Sequence, residues 1–106
     1  DLRRGLDRMR ADVRARRIPP EELRGYTITL SNFGMIAGKY AAPVVLPPSV
    51  AILGAGRISA RVVAASGVPA GHRVLPLSLT FDHRAVSGGE AGRFLAAVLA
   101  DLELPT

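Results

Sequence analysis

The sequence predicts a mixed α/β fold, with a sheet covered by helices, because it has a helical pattern near each end and strand patterns between them. Near the start, apolar residues recur every three or four positions, as on one face of an amphipathic helix; they are Leu2, Leu6, Met9 and Val13. Near the end, the same period marks the inner face of a second helix; its members are Ala91, Phe94, Leu95, Val98 and Leu102. Between these stripes, apolar and polar residues alternate, which is typical of strands with two different faces.

The first helix is expected to end before the Pro19-Pro20 pair, because a residue that precedes proline is disfavoured in the helical region. Residues 26–32 then alternate between apolar and polar side chains, which predicts a strand. Ser31 belongs to the polar face of that strand. Residues 34–38 follow and are predicted to form a loop.

The middle of the chain is predicted to contain short strands. Residues 44–46 are interpreted as a brief strand that a pair of prolines closes, and residues 50–53 as a buried one. Residues 60–64 are a further candidate strand. Two glycines and a proline within residues 66–71 indicate a hairpin turn.

Residues 73–82 have the clearest strand pattern, in which three leucines and Phe81 alternate with polar side chains. His83 has the parity of these apolar residues, whereas Asp82 faces the opposite side. The pattern therefore places an imidazole at the end of a strand, where a substrate can reach it.

The last helix has a well-defined start. Ser87 and Glu90 form an S-x-x-E pair, which predicts a capping box at its N-terminus. The helix is expected to end before Pro105.

The charge distribution does not favour a nucleic-acid partner. The formal net charge is +5, and eight of the 14 basic residues lie within the first 24 positions. Five acidic residues are interspersed there and no aromatic residue is present to stack on bases, so we interpret this stretch as a solvated helix face.

Composition also argues against other classes of protein. The chain has no cysteine, which excludes disulfides and thiolate metal sites. Its two histidines, His72 and His83, have opposite strand parity, so no metal site is expected. Its apolar runs are too short to span a membrane, and no membrane partner is expected. A soluble globular piece is predicted.

Two other catalytic or binding sites were considered and rejected. The segment Gly54-Ala55-Gly56 has only part of a dinucleotide-binding fingerprint and is interpreted as a turn after a strand. A hydrolase triad of Ser31, His83 and Asp82 is disfavoured, because adjacent residues on a strand point to opposite faces.

Three segments resemble motifs of the dihydrolipoamide acyltransferases, the E2 cores of 2-oxo acid dehydrogenase complexes, and their relative chloramphenicol acetyltransferase. Residues 26–34 resemble the family's T-[FI]-T-[IL]-S-N-x-G segment, and residues 47–58 resemble its PPQxAILGxGRI segment. Residues 81–89 resemble its DHRxxDG signature. The three motifs occur in the family's order and cover nearly the whole chain.

The resemblance implies a chloramphenicol-acetyltransferase-like fold, of which residues 1–106 would be the C-terminal half of the catalytic domain. The first half of that domain, the lipoyl domain and the peripheral-subunit-binding domain would be absent. It also implies transfer of an acyl group between dihydrolipoamide and coenzyme A, without a metal. His83 would be the general base, Ser31 would donate to the oxyanion, and Ser87 is a third candidate site residue.

The same resemblance implies the partners of the protein. The active site would lie between adjacent subunits of a homotrimer, with the histidine from one subunit and the serine from its neighbour, and trimers would assemble into a larger core. The E1 and E3 components and the lipoyl domain would be further partners. The location would be the bacterial cytoplasm, or the mitochondrial matrix in a eukaryote.

Ser87 departs from the family pattern, which usually has Asp or Asn at that position. All three residue types are good N-caps, so the helix start is expected to survive, whereas a charge-mediated contact is put in question. Three alternatives were considered: a non-catalytic scaffold subunit of such a core, another coenzyme A-dependent acyltransferase of the same superfamily, and a basic nucleic-acid-binding module. The retained His83 argues against the first, and the DHR form against the second.

Overall fold

The computed structural model describes residues 1–36 and 38–105, which form two helices and two sheets. A single 3₁₀ turn, Pro20–Leu23, lies between the first helix and the first strand. The elements are, in chain order, α1 Leu2–Arg14, β1 Ile28–Asn32, β2 Ala51–Ala55, β3 Ser59–Ala65, β4 Val68–Val74, β5 Leu77–Phe81 and α2 Gly88–Leu102. The predicted α/β class is confirmed.

The larger sheet has three strands in the order β1, β2, β5, with β2 parallel to β1 and antiparallel to β5. Its first row of paired residues is Ile28, Ala51 and Phe81, and its fourth row is Ser31, Gly54 and Ser78. Paired residues share a face and successive residues alternate. The register therefore divides the sheet into an apolar face with Phe81 and a largely polar face with Ser31.

Helix α2 packs against β5 on the apolar face, whereas Leu30 of β1 on the same face is 71% exposed. Phe81 and Leu79 of the sheet line a small cavity of about 220 Å³ together with Ala91 and Phe94 of the helix. The helical stripe predicted from the sequence is thus the contact surface of α2 with the sheet, although Phe94 remains 39% exposed.

A buried serine joins the starts of β1 and β2. The hydroxyl of Ser49 donates to the carbonyl oxygens of Thr27, at 3.3 Å, and Ala51, at 3.1 Å. The Val50 N–H donates to the same Thr27 oxygen at 2.7 Å. Within the described residues Ser49 is the only buried polar side chain, at 4% exposure, and its hydrogen bonds offset the cost of burying the hydroxyl.

The smaller sheet is the hairpin β3–β4, which contains the predicted strand 60–64. Its turn is tighter than predicted over residues 66–71, because only Ser66 and Gly67 lie between the strands. Both residues have positive φ, +52° and +80°, as a two-residue hairpin turn requires. Residues 68–71 belong to β4.

Two strand predictions were wrong. The predicted strand 73–82 is interrupted at Leu75-Pro76, so that β4 ends at Val74 and β5 begins at Leu77. Pro76 has no N–H to donate to a ladder, and its carbonyl oxygen instead accepts from the Gly56 N–H at 2.9 Å.

Residues 44–46 do not form a strand. Val44 and Leu46 instead line a cavity of about 230 Å³ beside Thr29 and Ile52, on the polar face of the larger sheet. Val44 and Leu46 remain largely exposed, at 76% and 69%, and the segment ends where the Leu46 carbonyl oxygen accepts a turn hydrogen bond from the Ser49 N–H.

The helix starts agree with the capping chemistry. The Asp1 side chain accepts from the Arg4 N–H and caps α1, and Ser87 caps α2. α1 ends at Arg14, before the predicted proline boundary, and Arg16 leaves the helix with φ of +55°. None of the helices in the described part of the chain is long and apolar enough to cross a membrane.

The chain exposes far more surface than a folded protein of its mass. Its accessible surface is 8431 Å², whereas a monomer of 11.2 kDa is expected to expose about 5,700 Å². The radius of gyration is 16.6 Å, against about 13 Å for a compact domain of this length. Among the described residues only Ala51 and Ala91 are buried hydrophobic side chains, and α1 approaches neither sheet.

Candidate functional site

His83 lies in the turn that joins β5 to α2. The Asp82 N–H donates to the Val50 carbonyl oxygen at 2.8 Å, which extends the β2–β5 pairing one step beyond Phe81. The chain then turns, and His83 is exposed. Its ring centroid lies 5.6 Å from that of Phe81, with the two planes inclined by 41°. The imidazole is therefore accessible and rests against the aromatic ring two residues before it.

The neighbours of His83 form an ion pair with each other. The Arg84 side chain donates from Nε to Asp82 Oδ1 at 3.0 Å and from Nη2 to Asp82 Oδ2 at 2.9 Å. The Arg84 backbone N–H also donates to Oδ1, at 3.0 Å. These hydrogen bonds, from the side chain first and then the backbone of Arg84, lower the pKa of the Asp82 carboxyl, and the pKa of Arg84 is raised in turn.

The carboxylate of Asp82 is thus occupied by Arg84 and does not complete a Ser-His-Asp triad. This pairing also identifies the partner that the sequence left unnamed: the two charged residues of the DHR signature pair across the histidine between them.

Ser87 forms the predicted capping box with Glu90. The Glu90 N–H donates to Ser87 Oγ at 3.2 Å, and the Ser87 N–H donates to Glu90 Oε1 at 3.2 Å. Hydrogen bonding from the Ser87 side chain, and then from its backbone, lowers the pKa of the Glu90 carboxyl. The serine therefore fulfils the capping function that Asp or Asn fulfils elsewhere.

Ser31 lies near the end of β1 on the polar face of the sheet and is half-buried. Gly54 is its neighbour on β2, and a Cβ at Gly54 would lie 2.9 Å from the Phe33 ring. The missing side chain at Gly54 makes room for that ring beside Ser31. Neither Phe33 nor Gly54 was identified from the sequence as lying beside Ser31, although Phe33 has the same parity as Ser31 along the chain.

The loop after Ser31 is held against the segment that follows β2. The Gly34 N–H donates to the Ala55 carbonyl oxygen at 3.1 Å, and Arg57 donates from Nε to the Gly34 carbonyl oxygen at 3.3 Å. A Cβ at Gly34 would collide with the Gly56 backbone. The glycines of residues 54–56 thus allow close packing of two backbones. Their interpretation as a turn was wrong, because Gly54 and Ala55 belong to β2 and Gly56 follows its end without a turn.

Ser31 and His83 are not brought together within one chain. Ser31 is paired through Gly54 with Ser78, which precedes Phe81 by three residues on β5. At about 3.3 Å per residue and 4.8 Å per strand, Ser31 and Phe81 are about 14 Å apart between Cα atoms. His83 follows Phe81 by two residues, in the turn after β5.

The part of the chain that the structure describes contains no group of three or more His, Asp or Glu residues that could hold a metal ion.

Comparison with known proteins places the chain in a family. All of residues 1–106 match the family model for the catalytic domain of 2-oxoacid dehydrogenase acyltransferases. A pyruvate dehydrogenase complex acetyltransferase component from Mycobacterium bovis is 43% identical over 108 residues, which include 93% of this chain and 20% of the relative. A branched-chain α-keto acid dehydrogenase complex lipoamide acyltransferase component from Pseudomonas putida is 39% identical, over 94% of this chain and 24% of the relative.

Solved structures agree. The dihydrolipoamide acetyltransferase of Azotobacter vinelandii superposes with a TM-score of 0.81 and 31% identity, over 92% of this chain and 40% of that one. The cubic core of a pyruvate dehydrogenase complex gives a TM-score of 0.75 and 32% identity, over 85% of this chain and 37% of that one.

The chain therefore spans about a quarter or less of the curated relatives and about two fifths of the solved chains. Its fold is that of the dihydrolipoamide acyltransferase catalytic domains, as the resemblance of its motifs implied. With every residue matched by the family model, and with relatives and solved structures of the same kind, the chain belongs to the 2-oxoacid dehydrogenase acyltransferase family.

Proposed function

We propose that the complete protein is the E2 component of a 2-oxo acid dehydrogenase complex and transfers an acyl group between dihydrolipoamide and coenzyme A. The assignment of catalytic roles to Ser31 and His83 depends on one observation. The Azotobacter vinelandii structure concerns the roles of a serine, a histidine and an asparagine in the catalytic mechanism, and that histidine follows the serine by 52 positions. His83 follows Ser31 by the same 52 positions.

His83 is the proposed general base. A free thiol has a pKa of about 8.5, so a neutral imidazole can remove its proton near neutral pH with little penalty. The thiolate attacks the thioester carbonyl carbon and forms a new C–S bond and an oxyanion. When the old C–S bond breaks, the leaving thiolate recovers the proton from the imidazolium. The exposed position of His83 on a turn gives both thiols access to its ring.

Ser31 is the proposed donor to the oxyanion. Its hydroxyl lies on the polar face of the sheet, and a single such donor typically contributes about 10²–10³ in kcat. The separation of at least about 14 Å between Ser31 and the strand end before His83 exceeds what one reacting carbon can bridge. We therefore propose that His83 of one subunit acts with Ser31 of its neighbour.

Ser87 occupies the third position. In the Azotobacter protein the asparagine follows the histidine by four positions, and Ser87 follows His83 by four. Since the Ser87 hydroxyl and N–H are both engaged with Glu90, we assign Ser87 to the start of α2 and not to the reacting atoms.

The proposed assembly is a homotrimer that builds a larger core, with the E1 and E3 components and the lipoyl domain as partners. The likeness to a cubic core supports assembly, and so does the surface of this chain, about half as much again as a folded monomer of its mass would expose. We propose that residues 1–106 are the C-terminal half of the catalytic domain and that the remainder covers part of this surface. Coenzyme A and the lipoyl group are substrates.

Transfer can be tested directly with the complete protein. Acetyl, branched-chain or succinyl coenzyme A is incubated with dihydrolipoamide, and mass spectrometry measures acyl-dihydrolipoamide and free coenzyme A. We expect equal amounts of both products from at least one donor, and much less from the His83→Ala variant. An assembled protein that transfers none of the three acyl groups would contradict the proposal.

A further inference from the structure

The turn that carries His83 is organised by one residue, Asp82. Its carbonyl oxygen accepts from the N–H groups of Ala85 and Val86, each at 3.0 Å. Its own N–H is bound to β2, and its carboxylate accepts from the Arg84 backbone and from two side-chain nitrogens of Arg84. Asp82 therefore determines the path of the chain on both sides of His83.

The imidazole itself has no such partner. No side chain or backbone group of the described residues forms a hydrogen bond with the His83 ring, and its one close neighbour is the Phe81 ring, at 5.6 Å. A catalytic histidine usually needs a third group that orients it. The carboxylate of the adjacent Asp82 is bound to Arg84.

We propose that the Asp82–Arg84 pair is the positioning unit of His83: it fixes the backbone around the histidine and so the direction in which the imidazole leaves the sheet. This inference rests on the proposed function, in which His83 is the base. Neither residue of the pair touches the reacting atoms. The Phe81 ring lies 5.6 Å from the imidazole, and the pair constrains the backbone of the turn.

Arginine suits position 84 better than lysine because of the way it binds the Asp82 carboxylate. The guanidinium donates two nearly parallel hydrogen bonds to the two carboxylate oxygens, which defines an orientation as well as a distance. A lysine at position 84 would supply one mobile point charge in place of this planar fork. Its backbone N–H would still donate to Asp82, so part of the constraint would remain.

Because the Asp82–Arg84 pair is exposed, its effect on the reaction rate can be distinguished from its effect on stability. The Arg84 side chain is 85% exposed and that of Asp82 is 23% exposed. Such an ion pair at the surface adds little to the free energy of unfolding. Its loss should therefore change the rate of the reaction much more than the melting temperature.

The test uses the complete enzyme with Arg84→Gln and Arg84→Lys. We expect Arg84→Gln to lower kcat by about 10- to 100-fold, since small displacements of a reacting group have effects of this size. The KM values for both substrates should stay within about twofold, because substrate binding is untouched. Arg84→Lys should recover part of the rate. Arg8→Gln, which breaks the ion pairs of an α1 arginine with Asp12 and with Glu22 of the 3₁₀ turn, is the matched control and should retain full turnover.

Combining Arg84→Gln with His83→Ala shows whether Arg84 acts through His83. If Arg84 acts through His83, Arg84→Gln should not lower the residual turnover of His83→Ala any further. An unchanged kcat in Arg84→Gln, a change confined to KM, or an equal loss with and without His83 would overturn the positioning role while the proposed function stands. A His83→Ala variant with normal turnover would overturn both, because there would be no base to position.

Discussion

Ser31 and Phe81, the strand residue two positions before His83, lie at opposite ends and on opposite faces of the same three-stranded sheet. The register pairs Ser31 through Gly54 with Ser78, whereas His83 follows the strand end at Phe81. Within one chain, Ser31 is therefore remote from the strand end that precedes His83. This separation is the physical reason for proposing a site shared between subunits.

The base assignment predicts a large loss of rate in His83→Ala. Turnover of the complete enzyme should fall by at least about 10², since a positioned general base contributes about 10²–10⁴. The fold should be unaffected because His83 is exposed and caps no helix. Steady-state kinetics together with circular dichroism measure both quantities, and near-normal turnover would reject the assignment.

The oxyanion assignment predicts a different signature for Ser31→Ala. Its kcat should fall by about 10²–10³ with little change in KM, because the hydroxyl is needed mainly once the oxyanion has formed. Ser78→Ala, in the same row of the sheet, is the matched control and should keep its kcat. If Ser31→Ala raised KM alone, Ser31 would be a residue that binds the ground state.

Ser87 should behave as an N-cap. Ser87→Ala should lower the free energy of unfolding by about 1 kcal/mol, whereas Ser87→Asp should preserve it, since aspartate caps equally well and suits the helix N-terminus. Thermal melting and kcat of the complete protein distinguish the roles. Unchanged stability in Ser87→Ala would contradict the capping role, and a several-fold faster Ser87→Asp would assign a catalytic contribution to the carboxylate.

The capping box also predicts a pH dependence of stability. Hydrogen bonds from Ser87 lower the pKa of Glu90 below its ordinary value of 4.5, so the folded state favours the carboxylate. The resulting stabilisation is present above pH 4.5 and is lost as the pH falls through the lowered pKa. Melting temperatures below pH 4.5 should therefore fall less steeply in Glu90→Gln than in the wild type. Glu103→Gln, at the other end of α2, is the control and should follow the wild-type slope.

The sequence predicted local features better than long-range pairing. Alternation identified the two faces of β1 and β5, and the spacing of Ser87 and Glu90 identified the capping box, because both depend on neighbouring residues. The interruption at Pro76 was missed because apolar and polar residues keep alternating through it. Residues 44–46 have the composition of a strand but pair with no strand and lie beside the polar face of the sheet with Val44 and Leu46 largely exposed, which only the tertiary structure shows.

The candidate site shows the same difference between local features, which the sequence predicts, and long-range ones, which it does not. The DHR signature pointed to His83 as the candidate base. Strand parity separately argued against Asp82 as a member of a catalytic triad. The pairing of Asp82 with Arg84 and the support of His83 by Phe81 depend on how the chain turns after β5. The distance between Ser31 and His83 follows from the parallel pairing of β1 with β2, which lies 19 residues further along the chain and has no local signal.

Subunit complementation tests the shared site most directly. Complete chains with His83→Ala and with Ser31→Ala are co-expressed in equal amounts, and the turnover of the mixed assemblies is compared with that of each variant alone. A site that combines His83 of one subunit with Ser31 of the next is intact in about a quarter of random neighbour pairs of a closed ring. We therefore predict recovery to about a quarter of wild-type turnover in the mixed assemblies. Turnover that stays at the average of the two inactive variants, with mixing of subunits verified by mass, would contradict a site shared between chains.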